Sequence, residues 1–298
     1  MGPRAVLMCA GDFEPFYISV NAEDGGKIPI GDYLQRESSV LKKPGLRTGV
    51  NFREESGLRN NVNLRKAGGS EIEEDFRKEG KKDEDPCDAR IFVAVDGGLE
   101  RLLALGIEPD LVLGDFDSLW KKYGSYLEEV RRTSPERIVR LPREKDDTDT
   151  LHALRVCMER GCREFVRLGA LGGRLDHTMA NIQCLAWLRK NDAVGYLVGK
   201  DTIVTVLSEE TILFPENLTC TFSMFALDSR LTGVTLEGMK YPLTDGVVDN
   251  TFPIGVSNEI RPGDRAGVTV RDGLALVILQ MPPGAGVPDP SLFQRTRL

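Results

Sequence analysis

Between Ile91 and Gly199 the sequence alternates two periodicities, and that alternation constrains the fold more than any single residue does. Short apolar runs, IFVAV (91–95), LVLG (111–114), RIVRL (137–141), EFVRLGA (164–170) and VGYLVG (194–199), mark strands. Stretches of helical period fall between them, over Leu99 to Leu105, Thr148 to Arg160 and His177 to Lys190. Parallel neighbours need a crossover connection, usually a helix, so this order predicts a doubly wound, mostly parallel α/β domain. Arg4 to Ala10 reads as a further buried strand. After Leu207 the helical period stops. TILF, TCTFSMFAL, GVTLEG, VVDNTF, AGVTV and LALVILQ are β-rich runs separated by Gly, Pro, Asp and Asn, which predicts a C-terminal all-β sandwich. The expected division is 1–205 for the α/β domain and 206–298 for the sandwich. Within the first, residues 21–88 are polar, Gly-rich and charged in both signs, with apolar residues such as Ile28, Ile30, Leu34, Val40 and Leu41 too sparse to offset ordering entropy. They are expected to form a disordered insertion.

Composition narrows the partners. Hydrophobic residues make up 41% of the 298 positions and charged residues 29%, which suits a globular chain with a real core rather than a disordered one. The net charge is −7 and the Lys and Arg are scattered among acids, so no basic stripe recommends a nucleic acid. No stretch approaches the roughly 20 apolar residues of a membrane span, and the N-terminus has no secretory pattern, so a cytoplasmic protein is expected. The six cysteines form no CxxC pair and read as reduced thiols. With only His152 and His177 present, His-based triads and His-rich metal sites are poorly supplied.

Acidic residues cluster where strands end. Asp96 follows IFVAV; Asp115 and Asp117 follow LVLG in GDFDS; Asp146, Asp147 and Asp149 follow RIVRL; Asp176 lies beyond EFVRLGALGG. Open parallel sheets bind ligands beyond the carboxyl ends of their strands, so all four clusters face one crevice. Converging carboxylates repel unless a cation sits between them, and Mg²⁺, which takes oxygen ligands and bridges carboxylates to phosphates, is the simplest candidate. DGG, with Gly97 and Gly98, and GALGGR both sit at strand-to-helix turns, where backbone N–H groups can hold phosphate oxygens or simply make the turn. Arg174 and Lys145 are candidate phosphate contacts, each equally readable as a solvated cation. Thr148 and Asp149 open a helix, so an N-cap role competes with metal or phosphate binding there.

Taken in order, VAVDGGLERLLALGIEPDLVLGDFDSL, KDDTDTLHAL, LGALGGRLDHTMANI and GMKYPLTD followed by GVSNEI resemble thiamine pyrophosphokinase over about Ile91 to Ile260. The resemblance implies an ATP-binding α/β domain and a thiamine-binding β-sandwich, in a homodimer with active sites between subunits. It implies pyrophosphoryl transfer from ATP to the hydroxyl of thiamine, giving thiamine diphosphate and AMP. By motif, Asp96, Asp115, Asp117, Thr148 and Asp149 would surround Mg²⁺ and the ATP phosphates, with Asp115, Asp117 and Asp149 as the metal ligands. Asp176 would orient thiamine beside Arg174, Tyr241 would stack on it from the partner subunit, and Ser257 and Asn258 would complete a polar wall. An aromatic face suits a cationic thiazolium on general grounds as well. The chain departs from the family pattern at Leu99 and Glu100 after DGG, and in the length between its first strand and DGG. Two other readings remain: a Mg²⁺-dependent phosphatase with Asp115 as nucleophile, which lacks its later signatures here, and a catalytically silent thiamine or nucleotide binder.

Overall fold

The structure, a computed structural model, describes residues 3–10, 17–19, 27–40, 90–116, 119–141, 148–263 and 265–298. Six strands form the parallel part of one large sheet: β1 (Arg4–Met8), β4 (Arg90–Val95), β5 (Leu111–Gly114), β6 (Ile138–Arg140), β7 (Glu164–Leu168) and β8 (Val194–Val198). Between β1 and β4 come two short strands, β2 (Tyr17–Ser19) and β3 (Lys27–Pro29), and helix α1 (Ile30–Val40). Helices α2 (Gly98–Ala104), α3 (Leu119–Thr133), α4 (Asp149–Glu159) and α5 (Leu175–Lys190) link the later parallel strands.

The spatial order β8-β7-β1-β4-β5-β6 is doubly wound. From β1 the chain steps outward through β4, β5 and β6, then returns across the sheet to add β7 and β8 on the other side of β1. The order therefore reverses between β1 and β7, which is where such sheets open a crevice. Strands buried on both faces must be apolar throughout, and RAVLM, RIFVAV and LVLG are nearly so. Residues of α1, α2 and α3 (Leu34, Leu99, Leu102, Leu119, Leu127) share one core with Val6, Phe92 and Val112. On the opposite face, Leu154 of α4 and Leu185 and Leu188 of α5 pack with Leu7, Val93 and Phe165.

The sheet does not stop at β8. It continues antiparallel through β9 (Thr202–Leu207), β16 (Ala275–Gln280), β11 (Cys220–Ala226) and β14 (Asn258–Ile260), making ten strands. A second, five-stranded antiparallel sheet of β13 (Leu243–Asp249), β12 (Arg230–Glu237), β15 (Gly267–Val270), β10 (Glu210–Leu213) and β18 (Gln294–Arg297) packs on this extension, and Phe222, Met224 and Val277 meet Leu231, Val234 and Val268 in its core. The fold is thus the expected α/β unit followed by a β-sandwich, with one sandwich layer continuous with the parallel sheet. The division drawn at 205/206 falls inside β9. A small third sheet pairs β2 with β3 and with β17 (Val287–Pro288) from near the C-terminus.

The expectation of a disordered insertion over 21–88 is corrected at residues 27–40, which form β3 and α1. Ile30 and Leu34 are each only 2% exposed and join the core. A helix lying on a sheet needs one apolar stripe, and residues at i, i+3 and i+4 (Ile30, Tyr33 and Leu34) supply it, so counting apolar residues underestimates such a segment. Residues 41–89 lie outside the described residues.

Candidate active site

Two glycines let the start of α2 lie against the end of β1. A Cβ on Gly98 would stand 1.9 Å from the carbonyl oxygen of Met8, and one on Gly97 would stand 3.2 Å from the Cβ of Ala10. Asp96 precedes them in left-handed backbone (φ 47°), with its N–H donating to the carbonyl of Leu113 on β5 at 2.9 Å. This turn sends the Asp96 side chain across the end of β5. A Cβ on Gly114 would lie 2.1 Å from Asp96 Oδ1, so only glycine leaves room for the carboxylate there. Asp115 comes next, half-buried, before Phe116, whose φ of 62° turns the chain toward α3 while its ring is buried. Asp96 and Asp115 thus both lie at the carboxyl edge of the sheet, at the ends of the adjacent strands β4 and β5.

The other predicted acids arrive on helix starts along the same edge. Thr148 is the N-cap of α4: its Oγ1 accepts from the N–H of Leu151 at 3.2 Å, and Asp149 begins the helix. The local N-cap reading of Thr148 is therefore the one the geometry displays. Beyond β7, Gly169, Gly172 and Gly173 all adopt positive φ (66°, 84° and 62°), folding GALGG into a tight turn ahead of α5. Arg174 ends this turn and grips Asp176 with both arms, Nε to Oδ1 at 3.1 Å and Nη2 to Oδ2 at 2.5 Å. That fork and the N–H of His177 hold the Asp176 carboxyl below the usual carboxylate range. Arg174 is expected to contact phosphate, yet its guanidinium engages Asp176 here, with both side chains exposed. Lys145 and Asp117 lie outside the described residues. Among the described residues no three His, Cys, Asp or Glu stand close enough together to hold a metal ion.

Tyr241, Ser257 and Asn258 form a separate group at the far edge of the large sheet. Tyr241 is 59% exposed, and Lys240 stands 5.3 Å from its ring centroid while bonding Glu259 at 2.6 Å. Asn258 is buried, and its amide is committed to the chain itself. Its Oδ1 accepts from the N–H of Tyr241 and of Glu259, both at 2.9 Å, and its Nδ2 donates to the carbonyl of Tyr241 at 2.7 Å. Asn258 therefore clamps the Tyr241 segment, where a wall residue facing ligand is expected. Ser257 is exposed in left-handed backbone (φ 62°), and its N–H donates to Ser223 Oγ at 3.1 Å. Neither Ser223 nor Glu259 is singled out by sequence reasoning, since only pairing of β11 with β14 brings them here.

This group is remote from the acids. From β14 to β4 there are seven strand spacings, on the order of 30 Å along the sheet. Both groups carry exposed apolar neighbours: Leu175 and Met179 flank Asp176 on α5, and Phe252, Ile254 and Val256 precede Ser257. Cys9, Cys157, Cys162, Cys184 and Cys220 are buried free thiols, and burial pushes Cys220 up to about 12, which keeps it protonated.

Two family models match the chain, the catalytic domain of thiamin pyrophosphokinase over residues 87–197 and the vitamin B1 binding domain of thiamin pyrophosphokinase over residues 209–275. Thiamine pyrophosphokinase of Bacillus subtilis is 31% identical over 172 residues, spanning 57% of this chain and 78% of the relative. Thiamin pyrophosphokinase 1 of Caenorhabditis elegans is 28% identical over 185 residues, spanning 58% and 72%. Among solved structures, the Bacillus subtilis enzyme superposes with a TM-score of 0.56 at 28% identity, covering 64% of this chain and 88% of that one. The Geobacillus thermodenitrificans enzyme does so with 0.56 at 29%, covering 68% and 90%.

Proposed function

The chain belongs to the thiamine pyrophosphokinase family, and from that premise we propose that its thiamine diphosphokinase activity draws the pyrophosphoryl group from ATP, uses Mg²⁺, and runs at a site completed by a second subunit. The observation that carries the reading is the Asp96 carboxylate lying over Gly114 at the carboxyl edge, next in sequence to Asp115 and beside two glycine turns.

The donor set there is all oxygen and anionic, which fits a hard divalent cation and leaves a softer metal without its preferred ligands. Asp115, Asp117 and Asp149 would hold Mg²⁺, which supplies charge neutralisation to the phosphate oxygens. The chain's own groups provide position. Backbone N–H groups of the turns after β4 and β7 face the polyphosphate, and Asp176, kept ionised by Arg174, orients the cationic thiamine. The hydroxyl oxygen of thiamine forms a bond to the β-phosphorus as the bond from that phosphorus to the α,β-bridging oxygen breaks. AMP leaves with the bridging oxygen, and the hydroxyl proton passes to water by way of Asp96 or Asp149. Phosphoryl-type transfers have loose transition states, so in-line placement and charge neutralisation outweigh general-base strength.

The separation of the two residue groups supports a homodimer. Asn258, which holds the Tyr241 backbone, lies on β14, on the order of 30 Å along the sheet from β4 and Asp96, a separation that fits an aromatic wall for thiamine contributed by another copy. The exposed Leu175, Met179, Phe252, Ile254 and Val256 supply apolar surface for that contact.

The test is an AMP-release assay with ATP and Mg²⁺, with and without thiamine, with thiamine diphosphate followed by chromatography. Thiamine-dependent AMP and thiamine diphosphate in equal amounts are expected, and Asp115→Asn is expected to lower turnover by about 100-fold or more. Phosphate release without thiamine would instead indicate the phosphatase, and thiamine binding without AMP the silent binder.

A further inference from the structure

Arg167, on β7 one residue before the strand ends, is 0% exposed. A buried guanidinium is ordinarily neutralised by a carboxylate, because an unpaired charge in a low-dielectric interior is costly. Among the described residues no carboxylate pairs with this one. Its Nη2 donates to Asn181 Oδ1 at 2.6 Å, its Nη1 reaches the Asn181 carbonyl at 3.5 Å, and its Nε has no partner. Asn181 in turn donates from Nδ2 to the carbonyl of Ala170 at 2.7 Å. Ala170 lies inside the GALGG turn, between the left-handed Gly169 and Gly172. A chain of hydrogen bonds thus runs from a buried cation that has no carboxylate partner among the described residues, through one amide, to the middle of that turn.

Glycine turns are conformationally permissive, so a turn that must present its N–H groups in one arrangement needs an external anchor. We infer that Arg167 is a positioning residue for the nucleotide: through Asn181 it fixes the Ala170 turn in the geometry that receives the polyphosphate. The inference rests on the proposal that this turn faces ATP. It also accounts for keeping a charge whose replacement by an apolar side chain of similar length is often neutral or stabilising in other proteins.

The experiment compares wild type with Arg167→Met, Arg167→Lys and Asn181→Asp, reading thermal midpoint, kcat, and KM for ATP and for thiamine. Asn181→Asp keeps an acceptor for Arg167 and removes the donor to Ala170, which separates the fold from the turn. Arg167→Met is expected to hold or raise the midpoint while raising KM for ATP about tenfold, with KM for thiamine little changed. Asn181→Asp should reproduce that rise without unfolding, and Arg167→Lys should recover most of the loss. A lowered midpoint in Arg167→Met with KM for ATP at the wild-type value would overturn the inference, as would wild-type KM in Asn181→Asp. Wild-type protein that makes no thiamine diphosphate would overturn the underlying activity and this inference with it.

Discussion

At the scale of single residues, the site depends on what glycine omits and on what arginine holds. Gly114 is required because a Cβ would collide with the Asp96 carboxylate, and Gly98 because one would collide with β1. At Asp176 the controlling partner is Arg174. The fork keeps the carboxyl ionised below its usual range, so removing the arginine raises the pKa, and protonation on acidification then begins at a higher pH. Arg174→Gln is expected to move the Asp176 titration up toward the ordinary value of about 3.9, followed by carboxyl-carbon NMR. An unmoved titration would show that the fork does not control it. The acids after each strand were legible in the sequence because strand ends and Asp residues are both visible there. The commitments of the buried amides were not: Asn258 facing inward, and Asn181 bridging Arg167 to Ala170, follow from tertiary neighbours that no local pattern encodes.

At the scale of elements, strong periodicity translated directly into structure. Helices expected over 99–105, 148–160 and 177–190 are α2, α4 and α5, and the five apolar runs from IFVAV to VGYLVG are β4 to β8. Helices α1 and α3 escaped notice because each buries a thin stripe, Ile30 and Leu34 in one and Leu119, Leu127 and Val130 in the other, within a charged sequence. Strands β14, β17 and β18 are short and gain their pairing from distant partners. The element that carries Tyr241 illustrates the same dependence. Its backbone is held by Asn258 on β14, so Asn258→Ala removes two part-buried hydrogen bonds to Tyr241, at a cost of about 0.5–1.5 kcal/mol each. Urea denaturation should register that loss. If Tyr241 stacks on thiamine, KM for thiamine rises about tenfold with KM for ATP unchanged, whereas equal changes in both would place Tyr241 outside the thiamine contact.

At the scale of the whole molecule, the continuous ten-stranded sheet both joins and separates the two groups of candidate residues. It ties the sandwich to the α/β unit through β8 and β9, and it sets β14, whose Asn258 holds Tyr241, seven strand spacings from β4 and Asp96. The chain end is locked in as well, since Arg295 on β18 forks onto the buried Glu210 at 2.6 and 3.1 Å. Sequence periodicity conveyed the two architectures, while the shared sheet and the distance it imposes arise from strand order, which periodicity does not contain. The account's central claim is that acids of one subunit and the aromatic wall of another make one working site, and subunit complementation tests it most directly. Asp115→Asn and Tyr241→Ala are each expected to be nearly inactive alone. Mixed, unfolded and refolded together, half of the dimers are hybrids in which one site carries both substitutions and the other neither, so activity should return to about a quarter of wild type. Hybrid dimers that form and remain as inactive as their parents would contradict the shared site.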